Sequence, residues 1–114
     1  MPKDDRVYLA HMLDMVRKAV TKTRDLTRSD YDQDENLRLA LVHLIQVIGE
    51  AARHVSPESQ RQHPEIPWAN IVGMRHKVVH DYLDVDEDII WAVVTSDLPP
   101  LLADLERIVP PEAS

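Results

Sequence analysis

The chain has 114 residues, 29% of them charged and 44% hydrophobic, and a formal net charge of −7. With no cysteine it has no disulfides and no thiolate metal sites, and two glycines with no phenylalanine argue against a sheet protein. The acidic balance excludes a protein that coats nucleic acid non-specifically, because that needs many Lys and Arg contacts to phosphate, but it leaves room for a local basic site.

The charge is uneven. Residues 1–28 carry seven Lys/Arg against four Asp/Glu, whereas residues 81–88 hold five acids and no base. Local clusters therefore decide more than the net value does. No stretch approaches the roughly 18 apolar residues that span a bilayer, and the short charged start has no apolar run behind it, so a cytoplasmic protein without membrane contact is expected. The length suits a single domain over residues 1–114.

In chain order, the spacing predicts a first helix over about 4–26, where Leu9, Met12, Leu13, Val16, Ala19, Val20 and Thr23 form one stripe. Asp4 and Asp5 suit its positive end. A polar connection over 27–34 offers Ser29 or Asp30 as caps. The second helix, about 35–55, is apolar almost all round and keeps one polar line of His43, Gln46, Glu50 and Arg53. Such a helix sits between neighbours, with its polar line facing solvent or a wet internal or intersubunit surface.

Ser56-Pro57-Glu58 reads as a cap with proline in the first helical position. Pro67 is placed to open a third helix through Trp68, Ile71, Val72, Met74, Val78 and Val79. The acids over 84–88 start a last helix, which Pro99-Pro100 should kink or split before it ends near Val109. The expected fold is all-α: an up-and-down bundle of four main helices with short helical turns.

The segment over 73–82 concentrates chemistry. Arg75, His76, Lys77 and His80 stand among apolar residues. Arginine clamps phosphate with paired hydrogen bonds, and histidine moves protons near neutral pH. Together they form a minimal kit for phosphodiester cleavage, one group steadying charge and the other acting as base and then acid. On an ideal helix, positions 75 and 80 lie about 140° apart at roughly 100° per residue, so they do not share one face. One copy would then hold them poorly for a shared phosphate, whereas two copies across a symmetric dimer could bring them together.

Arg75, four intervening residues, His80 and then Tyr82 resemble the R-x4-H-x-Y signature of HepT proteins within the HEPN superfamily. R-x4-H alone occurs by chance in many helices. Here Ile48-Gly49-Glu50-Ala51, His63-Pro64-Glu65-Ile66-Pro67-Trp68 and Val85-Asp86-Glu87-Asp88-Ile89-Ile90-Trp91 also resemble the family pattern in order and spacing. The residue after the arginine, often asparagine in that family, is His76 here.

That resemblance implies a helical homodimer and a ribonuclease toxin of a toxin–antitoxin pair that needs no metal or other cofactor. Arg75 and His80 would line an interface cleft and cleave RNA. The partner it implies is a minimal nucleotidyltransferase antitoxin that transfers AMP to Tyr82, and a bulky anion two residues from His80 would block the cleft and repel RNA. Arg53, Arg75 and Lys77 would make that cleft positive. Glu50 is either a solvated residue paired with Arg53 or Arg75, or a group beside the cleft that orients Arg75.

Two other readings stand beside this one. A non-catalytic subunit could dock a nucleotidyltransferase and present substrate through Tyr82 and Arg75. A metal hydrolase could use His76 and His80 at i and i+4, with Glu50, His63 or Asp81 recruited as a further ligand. The acids over 84–88 imitate the start of a calcium loop, but Ile89 stands where that loop needs glycine and Thr95 where it needs glutamate. No Gly-Ser and Asp-x-Asp transferase core is present, so the chain is not itself the transferase.

Overall fold

The structure, a computed structural model, describes residues 3–81 and 84–111. The fold is an all-α bundle, as the helical spacing predicts, and four of its helices begin on a capping side chain: Thr27, Asp34, Ser56 and Asp86. The first helix, α1, is Lys3–Thr23 and buries Leu9, Met12, Leu13, Val16 and Ala19 in the core. A one-turn helix, α2 (Arg28–Asp32), fills the first connection. Its cap is Thr27, and Asp30 returns a bond to the Thr27 backbone, so the pair forms a capping box.

The central helix, α3 (Glu35–His54), starts on Asp34, whose carboxylate accepts the Leu37 N–H at 3.0 Å. It packs against α1 on one side and α5 on the other. Ser56 caps α4 (Pro57–Gln62), in agreement with the Ser-Pro reading. Helix α5 (Trp68–Val78) begins directly after Pro67, whose carbonyl accepts the Ile71 N–H at 3.0 Å. Buried Trp68 spends its indole N–H on the His63 carbonyl at 3.0 Å, which fixes the entry to this helix.

Two expectations are corrected beyond Val78. The third helix does not continue through Val79. Instead β1 (Val79–Asp81) pairs antiparallel with β2 (Asp84–Val85), Val79 opposite Val85. The Asp86 N–H donates to the Val78 carbonyl at 2.8 Å and closes the base of this ribbon. Val79 accepts extended backbone readily, and its pairing with Val85 together with the Asp86 bond favours strand over a further helical turn. The last helix accordingly opens two residues later than the acidic run suggests: Asp86 caps it, and α6 is Glu87–Ala92.

The proline pair does break the last helix, through a wide turn rather than a simple kink. Pro99 and Pro100 lack the N–H groups that would bond the carbonyls four residues back. A π segment, Val93–Asp97, absorbs the mismatch before α7 (Leu98–Ile108) resumes and packs on α1. The rod 87–108 is thus the fourth main element of the bundle. Among the described residues no helix is long and apolar enough to cross a membrane.

Two side-chain locks hold the bundle around α5 and the ribbon. Asp5, only 2% exposed, accepts bonds from the Ser56 N–H at 2.8 Å, Ser56 Oγ at 2.6 Å and Ser59 Oγ at 2.5 Å. It ties α1 to the start of α4 rather than simply facing its own helix end. Tyr31, fully buried, donates its hydroxyl to Glu87, and its ring lies 5.4 Å from that of Trp91. Above it Arg28 bridges Asp32 and Asp88, each at 2.8 Å. The short helix α2 is thereby stapled to the start of α6, immediately after the ribbon.

Candidate active site

Helix α5 carries the first of the expected site residues. Its last turn holds Arg75, His76 and Lys77 in succession, all exposed. Three potential cations stand at a helix C-terminus, where the peptide dipoles favour positive charge. None of the three side chains has a hydrogen-bond or ion-pair partner among the described residues. Arg75 is free to take an incoming anion.

What places that turn is Gly49 on α3. A β-carbon there would stand 3.2 Å from the Ile71 carbonyl oxygen and 3.6 Å from that of Val72. The absent side chain lets α5 press its backbone on α3, and Arg75 follows one turn later. Sequence reasoning misses this role of Gly49. The available signal is an isolated glycine inside a strongly helical, apolar run, where it costs stability unless packing needs it.

His80 lies in β1, not on α5. The helical angle between positions 75 and 80 therefore does not apply, because helix ends and strand begins between them. The side chains over 79–84 and the whole of Tyr82 lie outside the described residues. The ends of the segment that carries them are nonetheless fixed, by α5 on one side and by the Asp86 cap with its Glu87 and Asp88 staples on the other.

Glu50 and Arg53 form a separate group. Glu50 accepts from Arg53 Nη2 at 2.7 Å and lies 3.1 Å from His54 Nε2. Of the two pairings open to it, the structure shows the one with Arg53, and no bond joins Glu50 to Arg75 within the chain. The hydrogen bond from Arg53, and then that from His54, holds the Glu50 carboxyl below its ordinary range. Arg53 is correspondingly engaged, so among the described residues the free cations of this region are those at the end of α5. His54 also stacks on Tyr8, ring centroids 5.0 Å apart. Sequence reasoning misses it as well, although it stands four residues after Glu50 on the same helix.

The i, i+4 geometry that would suit His76 and His80 as paired metal ligands is lost where α5 stops at Val78. His63, a third ligand in that reading, lies 3.6 Å from Glu65 instead. Among the described residues no three His, Asp or Glu side chains cluster as a metal site would require.

Comparison with known proteins bears on the same residues. The family model described as "Ribonuclease HepT-like" matches residues 12–108, which include α5, the ribbon and most of the bundle. The chain is 31% identical over 110 residues to a protein of Caldanaerobacter subterraneus subsp. tengcongensis named "Putative RNase", covering 96% of this chain and 98% of that one. It is 30% identical over 108 residues to the "Probable ribonuclease HepT" of Thermococcus cleftensis, covering 95% and 98%. A "Putative RNase" of Methanocaldococcus jannaschii is 25% identical over 106 residues, covering 93% and 97%. No solved structure matches the chain.

Proposed function

The chain belongs to the HepT-like ribonuclease family, and from that premise we propose that it is a metal-independent endoribonuclease, the toxin of a toxin–antitoxin pair in the cytoplasm. Two copies form the active unit. The observation that carries this reading is the end of α5: Arg75, exposed and unpartnered among the described residues, five residues before His80 on a segment fixed at both ends.

In this mechanism His80 takes the proton of a ribose 2′-OH. The 2′ oxygen then attacks the adjacent phosphorus, and its new bond displaces the 5′ oxygen of the next nucleotide. A histidine returns a proton to that leaving oxygen, and the product is a 2′,3′-cyclic phosphate. Arg75 holds the non-bridging oxygens with paired hydrogen bonds that strengthen as negative charge grows. Lys77 and His76 add positive charge at the end of α5 and help to hold RNA there. Glu50, held by Arg53 and His54, borders the site without entering the reaction.

The dimer reading draws support from α3. Leu39 is 62% exposed, and Leu39, His43, Gln46, Glu50 and Arg53 recur at alternating four- and three-residue steps. One exposed leucine thus heads a polar line on a helix otherwise buried nearly all round, a face available to a second copy. Silencing follows from Tyr82, whose hydroxyl would attack the α-phosphorus of ATP in a nucleotidyltransferase antitoxin and expel pyrophosphate. The resulting AMP would set a negative charge two residues from His80.

The test is cleavage of a single-stranded RNA by purified protein in EDTA, beside Arg75→Ala and His80→Ala, with mass spectrometry verifying that Tyr82 is unmodified. Cleavage that survives EDTA and disappears in both variants is the expected outcome. A folded, unmodified dimer that cuts nothing would favour a substrate-presenting subunit instead.

A further inference from the structure

Beside the end of α5, on a different face from Arg75, runs a groove of about 380 Å³ between α5 and the π segment with the start of α7. Its size falls within the roughly 300–1,000 Å³ of small-ligand sites. The wide π turn shapes one wall, since Val93, Ser96 and Asp97 belong to it. Such turns are frequent at functional sites. The buried residues Met74, Val93, Leu98 and Leu101 form an apolar floor, while the exposed Asn70, Lys77, Ser96 and Asp97 form the rim.

Those four rim side chains have no hydrogen-bond or ion-pair partner among the described residues. Asp97 occupies the cap position of α7 but has no donor to accept from there, because Pro99 and Pro100 carry no N–H, so its carboxylate is left to the groove. The other carboxylates of the rim are engaged, Glu65 with His63 and Asp104 with Arg107. That leaves one free carboxylate and one lysine, without the cluster of cations that a phosphate would need. A neutral, flat ligand with N–H groups on its edge fits both the floor and the free carboxylate.

We propose that this groove takes one unpaired guanine base of the RNA, next to the cleaved bond. This rests on the ribonuclease reading above. Guanine places a ring N–H and an exocyclic amine side by side, which one carboxylate accepts together, and Asp97 supplies it. Lys77 donates to the O6 acceptor, Asn70 and Ser96 complete the edge contacts, and Met74 with Leu101 covers the face of the ring. Arg75 lies about 100° round α5 from Met74. The RNA backbone would therefore pass over the end of the helix, its base in the groove and its scissile phosphate at Arg75.

The experiment has two arms. In the first, 5′-GMP, 5′-AMP, 5′-CMP and 5′-UMP are titrated separately into the isotope-labelled full chain, and backbone amide shifts are followed by NMR. GMP should shift Asn70, Ser96 and Asp97 with an affinity about tenfold above the others, and Asp97→Asn should erase that difference while Asp97→Glu retains part of it. In the second, cuts are mapped on an unstructured RNA of mixed sequence. The wild type should favour positions beside G, and Asp97→Asn should flatten that ratio. Selective GMP shifts without any cleavage would uphold the groove and sink the ribonuclease reading. Cleavage with equal shifts for all four nucleotides, and with an unchanged map in Asp97→Asn, would overturn the groove and leave the ribonuclease standing.

Discussion

Gly49 lies against the Ile71 carbonyl so closely that a β-carbon would stand 3.2 Å from its oxygen. A helical carbonyl cannot swing away as a flexible side chain could. Gly49→Val should therefore cost about 2–3 kcal/mol and shift the helix that carries Arg75. Gly73, where a β-carbon would meet nothing within 4 Å, provides the contrast. Gly73→Ala should gain about 0.5–1 kcal/mol from helix propensity and lower unfolded-state entropy. Urea unfolding of the pair checks both signs.

Asp5 should make the fold acid-sensitive. Burial alone would raise its carboxyl, but hydrogen bonds from Ser56 and Ser59 outweigh that and hold it below its ordinary value of 3.8. Its contribution is complete above that value and is lost as pH falls through the lower folded value. Asp5→Ala should cost about 2–3 kcal/mol near neutral pH by stranding the Ser56 N–H and the Ser59 hydroxyl. The gap between wild type and variant should close on acidification, as read from melting curves.

Tyr31 has the opposite sign. Burial first, and then its bond to Glu87, push its hydroxyl above the ordinary value of 10.0. The associated stability is complete below that value and is lost as pH rises through the folded one. Alkaline difference absorbance should show a late tyrosine phase that coincides with unfolding and is missing in Tyr31→Phe. At neutral pH that variant should lose about 1–2 kcal/mol, because Glu87 is left without its donor.

Arg75→Ala separates function from folding. The side chain is exposed and unpartnered among the described residues, so stability should change by less than about 0.5 kcal/mol. Cleavage should fall about 10²–10³-fold, the loss expected when a donor to developing charge is removed. A large drop in melting temperature alongside the lost activity would contradict the placement.

The helices are legible in the sequence because their signals are local. Leu9 to Ala19 and Leu37 to Ala52 repeat at helical spacing and are buried as that spacing requires. Ser56-Pro57 announces its own helix start. What cannot be read depends on partners far along the chain. Asp5 has the position of a helix-end acid, yet its partners stand 51 and 54 residues away. The ribbon after Val78 depends on the pairing of Val79–Asp81 with Asp84–Val85 and on the bond from Asp86, and valines are compatible with strand and helix alike. Thr27 does not stand out as a cap because Ser29 and Asp30 beside it offer equally good oxygens. In the candidate site, Arg75 and Lys77 are legible as cations on an apolar helix, whereas the pairing of Arg53 with Glu50 and His54 depends on which neighbour each finds in space.

The most direct measurement mixes two inactive variants. Arg75→Ala and His80→Ala are co-refolded in equal amounts, and RNA cleavage is followed in EDTA beside each variant alone and the wild type. If Arg75 of one copy works with His80 of the other, half the dimers are mixed and one of their two sites is whole. The rate should then recover to about a quarter of wild type. No recovery in dimers shown to have exchanged subunits would contradict a cleft shared between two copies.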